Sequence, residues 1–81
     1  MLAIRLARVG KKKKPFYRIV VMEKRRARDS AFVEVVGSYD PLKRPADIQL
    51  KADRIQYWLS KGAQPSETVR GFLRRYQLLP G

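Results

Sequence analysis

The sequence predicts an α+β fold: one small domain spanning residues 1–81, in which a mixed β-sheet of about four or five strands is packed by two C-terminal helices. Three observations predict it. The hydrophobic period changes once along the chain, from two to about 3.6, so strands come first and helices second. Eighty-one residues, 44% of them hydrophobic, suit one core and leave no chain for a second domain of ordinary size. No repeat or low-complexity segment interrupts the pattern apart from one run of lysines.

Residues 2–8 alternate, with Leu2, Ile4 and Leu6 sharing one side, as a half-buried strand does. Val9 and Gly10, followed by four lysines and Pro15, form a charged turn that mutual repulsion should hold extended. Residues 16–23 are the strongest strand: Tyr17, Ile19, Val20, Val21 and Met22 are β-branched, aromatic or apolar on both sides, as at a sheet centre. Residues 24–30 are too charged to pack and read as a loop. β character resumes over 32–36 and ends before Gly37, with Tyr39, Asp40 and Pro41 closing the segment. The connection over 40–47 holds Pro41, Pro45 and two aspartates and reads as irregular, followed by a short edge strand at 48–50.

From Ala52 the period lengthens. Ala52, Ile55, Trp58 and Leu59 share a helical stripe, and Gly62 follows Lys61 as a C-terminal cap should. Pro65 suits the first turn of a second helix, Glu67 complements its dipole, and Val69, Phe72, Leu73 and Tyr76 fall at i, i+3, i+4 and i+7. By this spacing Trp58, Phe72 and Tyr76 are core residues. Gly71 inside the second helix costs about 1 kcal/mol relative to alanine, which packing of the stripe against a neighbour should offset.

The charge is lopsided. Nineteen lysines and arginines face seven acids, a formal net charge of +12. Residues 1–28 carry eleven cations and one acid, Glu23, so ten of the twelve excess charges lie in one third of the chain. Self-repulsion on that scale is unfavourable without a counter-charge, which points to a polyanionic partner. A chain of this size buries only about 60% of the surface its unfolded form exposes. With no cysteine and no histidine, disulfides and the common zinc ligands are excluded as reinforcement, leaving a partner to supply it.

Other classes fit poorly. The apolar run Ile19, Val20, Val21, Met22 falls far short of the roughly 18 residues a spanning helix needs, so no membrane role is expected. An Arg-rich, acid-poor start resembles a mitochondrial presequence, but its period of two is not that of an amphipathic helix, so it is read as mature chain. Absence of cysteine fits a reducing compartment, the cytoplasm by default. Catalysis would lack the commonest general base and the thiolate nucleophile, and the seven acids are scattered singly with no close pair to hold magnesium. Asp29, Asp40, Asp47, Asp53 and Glu67 are better read at turns or in first helical turns. No catalytic residue, metal site, cofactor or small-molecule substrate is expected.

The candidate interface consists of Arg5, Arg8, Lys11, Lys12, Lys13, Lys14, Arg18, Lys24, Arg25, Arg26 and Arg28, on two strands and the loops after them, with Tyr17 as an aromatic contact. Two loops would flank one patch, with Arg5 and Arg18 standing on the sheet face between. Lysines act as point charges on phosphate, whereas arginine forks grip phosphate bidentately or stack on unpaired bases. Read alone, the lysine run is equally a solvated face, and it also passes for a nuclear localisation patch. Phe16 and Tyr17 point to opposite sides of a strand, so one would offer its ring to an unstacked base while the other packs in the core.

The residues Ile4-Arg5-Leu6-Ala7-Arg8, then Gly10, the lysines and Pro15-Phe16-Tyr17-Arg18-Ile19-Val20-Val21 resemble the opening of the bacterial-type small-subunit ribosomal protein sixteen family. Gly37-Ser38-Tyr39-Asp40-Pro41, Asp53-Arg54-Ile55 with Tyr57-Trp58-Leu59, and Gly62-Ala63-Gln64-Pro65-Ser66 followed by Val69 resemble its later blocks in order and spacing. The resemblance covers nearly the whole chain. It implies a mixed sheet packed by two helices, set among helices of small-subunit ribosomal RNA, with a role in assembling and stabilising that particle and no cofactor or catalysis. Neighbouring small-subunit ribosomal proteins are further partners it leaves open, as are bacterial and organellar ribosomes. Carried over by position, the family's basic opening falls on Arg5, Arg8, Lys11, Lys12, Lys13, Lys14 and Arg18, and its next basic segment on Arg25, Arg26 and Arg28. The chain departs from the family at Lys51, where a capping Asp or Asn is commoner, in the connection 41–49, and in a tail that stops soon after Tyr76. Outside the family, the open alternatives are a basic nucleic-acid or protein-interaction module apart from the ribosome, and a metal-assisted nuclease.

Overall fold

The computed structural model describes residues 1–10, 12–23 and 32–78. In chain order the elements are β1 (Leu2–Arg8), β2 (Tyr17–Glu23), β3 (Glu34–Asp40), β4 (Asp47–Leu50), α1 (Ala52–Ser60), β5 (Gln64–Pro65) and α2 (Glu67–Arg75). The strands form one five-stranded sheet in the order β4-β3-β2-β1-β5. β1 and β5 run parallel and every other pair antiparallel, so the sheet is mixed, as expected. β2, the most apolar strand, takes the central place, where both its faces can be covered. Ile19, Val20 and Val21 are fully buried and Met22 nearly so.

The β1–β2 register places Ile4 opposite Val21 and Leu6 opposite Ile19. These residues share the face on which the helices lie. Ile4, Ile19, Val21 and Val36 meet Ile55 of α1, Ala63 before β5, and Val69 and Leu73 of α2 in one core cluster. Burying each of the larger side chains contributes about 1.5–3 kcal/mol. The thinnest extent of the Cα trace is 18 Å, room for the sheet and one helical layer about 10 Å away. No helix of the described residues is long and apolar enough to cross a membrane.

β3 departs from the sequence reading, which ended it before Gly37. The strand runs on to Asp40 because it carries a bulge: Val20 pairs with Val35 and Ile19 with Gly37, leaving Val36 as the extra residue. Alternation therefore slips by one. Glu34, Val36 and Gly37 fall on the helix side, and beyond the bulge Tyr39 does so instead of Ser38. Gly37 is needed where β4 approaches, since a Cβ there would collide with the backbone oxygen of Gln49. The strand also begins later than expected, leaving Phe32 42% and Val33 51% exposed ahead of it.

Glu34 ties α1 to the sheet. Arg54 donates to both its oxygens, from Nε at 2.7 Å and from Nη2 at 2.6 Å, and the Trp58 indole N–H donates at 3.2 Å. Arg54 also lies over the Tyr57 ring, 4.6 Å from its centroid. The hydrogen bonds from Arg54 hold the Glu34 carboxyl below the ordinary glutamate range, helped by Trp58 and nearby positive charge and opposed by desolvation.

The second helix begins later than the sequence suggested. Pro65 does not enter its first turn but ends β5, opposite Ile4, and the Ser66 N–H donates to the Ile4 carbonyl at 2.9 Å. Ser66 then caps α2, its hydroxyl accepting from the Val69 N–H. Gly62 does end α1, at φ 90°. One residue at the end of α2 differs from expectation. Tyr76 follows the last turn and is 47% exposed rather than core, because Gln77 takes φ 60° and turns the chain. Leu78 folds back in its place, its N–H donating to the Leu73 carbonyl at 2.8 Å. Val69 and Leu73 of the α2 stripe are fully buried, the packing expected to offset Gly71, and a Cβ added at Gly71 would meet no atom within 4 Å.

Candidate nucleic-acid interface

The β1–β2 hairpin assembles the basic opening. Its loop does not stay extended as repulsion alone would have it. The Val9 N–H donates to the Phe16 carbonyl at 2.8 Å, and Arg8 Nη2 donates to the Lys12 carbonyl at 3.1 Å. Gly10 permits this closure, because a Cβ there would overlap the Lys14 carbonyl. Lys12, Lys13 and Lys14 are thereby held exposed at one end of the sheet.

Arg5 and Arg18 project from the face away from the helices. Arg5 is opposite Val20 and Arg18 opposite Ala7, so the two are diagonal neighbours, and both are exposed. Among the described residues no carboxylate forms a salt bridge with Arg5, Lys12, Lys13, Lys14 or Arg18. β2 leaves this region at Glu23, which pairs with Leu2, so the segment that follows starts from the end opposite the lysine loop. A seven-residue strand separates the two exits by about 20 Å. Lys11, Lys24, Arg25, Arg26 and Arg28 lie outside the described residues.

The two aromatic candidates are sorted by the sheet. Tyr17 is on the helix side, half-buried, its ring 5.9 Å from that of Tyr39, which in turn lies 5.0 Å from Phe72. Phe16 faces the other way. It lines a shallow depression of about 450 Å³ with Arg18, Val35, Ser38, Gln49 and Lys51. Arg18, Ser38 and Gln49 form one row across β2, β3 and β4. Sequence reasoning left open which of Phe16 and Tyr17 faces outward and missed Ser38, Gln49 and Lys51 as surface partners. The shared parity of Phe16 and Arg18 was a usable signal, whereas Ser38 and Gln49 join them only through the bulge and the β3–β4 register.

No group of three or more metal-holding side chains occurs among the described residues. A cationic sheet face with a lysine rim, on so small an α+β fold, defines a basic polyanion-binding protein, the class that includes many nucleic-acid binders. The comparisons with known proteins make this particular. The family profile described as ribosomal protein S16 matches residues 8–66. A protein of Dictyoglomus turgidum named small ribosomal subunit protein bS16 is 58% identical over 76 residues, covering 94% of this chain and 82% of the relative. Proteins of the same name from Roseiflexus sp. and Thermosipho africanus are 52% identical over 79 residues and 53% over 75, covering 98% and 93% of this chain and 83% and 80% of theirs. The chain belongs to the ribosomal protein S16 family.

Proposed function

We propose that this chain is a structural, non-catalytic constituent of the small ribosomal subunit, in the cytoplasm, where it binds small-subunit ribosomal RNA and supports assembly and stability of the particle. The names of its relatives support this reading. The observation that carries it is the set of exposed cations on one hairpin, Arg5, Lys12, Lys13, Lys14 and Arg18, without a carboxylate partner among the described residues. Phosphates of a folded RNA supply the missing counter-charge. Arg8 and Lys11 extend this contact along the hairpin, and Lys24, Arg25, Arg26 and Arg28 extend it beyond β2. Tyr17, half-buried on the same hairpin, contributes an aromatic contact. The whole of 1–81 acts as one RNA-binding domain, with neighbouring small-subunit proteins at its margins.

Binding of this kind is salt-dependent, with a log–log slope of about −0.7 to −0.9 for each phosphate neutralised. Filter binding to small-subunit ribosomal RNA from low to moderate salt should give a slope equivalent to several contacts, and the chain should co-sediment with small-subunit particles. A protein that sediments free and ignores structured RNA at low salt would overturn the proposal.

A further inference from the structure

We propose that the depression beside Phe16 receives one unpaired nucleotide of the RNA, its base stacked on the Phe16 ring and its phosphate held by Arg18 and Lys51. The inference deepens the RNA-binding reading and rests on it. Phe16 is only half-buried although it adjoins a buried strand, and among the described residues neither helix packs on its side of the sheet. An aromatic face flanked by cations matches a nucleotide better than it matches an apolar side chain, because both halves of the nucleotide find a partner.

Beside Val35, Gly37 and Leu50, the lining of the depression carries two uncharged polar side chains, Ser38 and Gln49. Gln49 Nε2 donates to Asp47 Oδ1 at 2.7 Å, which fixes the amide so that Oε1 is the acceptor. The Ser38 hydroxyl, beside it in the register, can donate or accept. A base edge therefore meets hydrogen-bonding groups of both kinds. The acids near this end of the sheet are already engaged: Asp47 lies 3.5 Å from Lys43 Nζ, and Asp40 Oδ1 accepts from the Leu42 N–H. Arg18 and Lys51, the cations that line the depression, form no salt bridge among the described residues, and both favour phosphate. Stacking accepts any base, so the site selects a nucleotide for being unpaired and accessible rather than for its identity.

The test is chemical probing of small-subunit ribosomal RNA, at single-nucleotide resolution, with the full chain bound. The wild type should protect one unpaired base in addition to backbone positions. Phe16→Leu, which keeps an apolar side chain, should weaken binding about tenfold, leave the salt slope unchanged and expose that base alone. Phe16→Trp should restore both affinity and protection. Phe16→Trp also serves as a direct reporter: its added emission, measured against the Trp58 background of the wild type, should be quenched by the RNA even if the leucine variant folds poorly. Unaltered affinity and protections in Phe16→Leu, or no quenching in Phe16→Trp, would overturn the nucleotide site. If Lys12→Glu with Lys13→Glu still weakens binding in that case, the RNA-binding reading stands without it; if the wild type does not bind at all, both fall.

Discussion

Glu34 shows how a single side chain in this fold exchanges one fate for another. On sequence alone it is an ordinary acid in the middle of the β segment 32–36. In the structure it accepts three hydrogen bonds from Arg54 and Trp58, and so fastens α1 to β3. Its carboxyl is lowered below the ordinary glutamate range, chiefly by Arg54. A depressed folded-state value means that the ion pair stabilises the fold fully above the unfolded glutamate pKa, and that this contribution is lost as pH falls through the folded value. Glu34→Gln should therefore melt below the wild type at neutral pH, and the gap should close in the acid range. Thermal melts across that range check it; a gap independent of pH would mean that the carboxylate's charge is irrelevant. Phe16 and Tyr17 make the complementary point. Their opposite orientation follows from strand geometry, but which of them meets the core depended on where the helices lay.

At the scale of elements, the strands and helices were largely legible because each is an amphipathic unit with its own period. β1, β2, β4 and α1 fall where alternation and spacing put them. The misses in β3 and at Pro65 come from contacts distant in sequence, whereas that at Tyr76 comes from the local turn at Gln77. β3 continues through Gly37 because its bulge and the approach of β4 accommodate a glycine that local propensity treats as a stop. Pro65 ends a strand because Ile4 offers its carbonyl to the next residue. Gly71 lies inside α2 as expected, with Val69 and Leu73 of its stripe buried against the sheet to offset its cost. With open space where its Cβ would lie, Gly71→Ala should stabilise the protein by about 0.5–1 kcal/mol through helix propensity and reduced unfolded-state freedom. Chemical denaturation measures this directly, and a destabilised variant would reveal a constraint on α2 that the packing does not show.

The whole molecule is a two-layer fold whose cationic hairpin is set apart from its helices. Lys12, Lys13 and Lys14 extend the charge of Arg5 and Arg18 to the sheet's end, while α2 carries Arg70, Arg74 and Arg75 on the other layer. Charge reversal thus tests the orientation of the protein on RNA. Arg5→Glu combined with Arg18→Glu should weaken RNA binding by on the order of a hundredfold, since each lost charged contact is worth about 1.5 kcal/mol or more. Arg70→Glu combined with Arg74→Glu should cost far less. Equal losses in a filter-binding titration would count against the hairpin as the principal contact. The family relationship itself is legible in the chain, because ordered blocks run from Ile4 to Val69.

By itself, the sequence determined the order and kind of the elements, the polyanionic character of the partner and the family. Those properties reside in composition, local periodicity and ordered motifs, each of which is written along the chain. The tertiary structure alone decided which face each side chain serves: that Phe16, Ser38 and Gln49 share a surface, and that Tyr17 joins Tyr39 and Phe72. Those assignments depend on cross-strand register, and one bulged residue, Val36, shifts the register by a step that moves every later side chain of β3 to the other face.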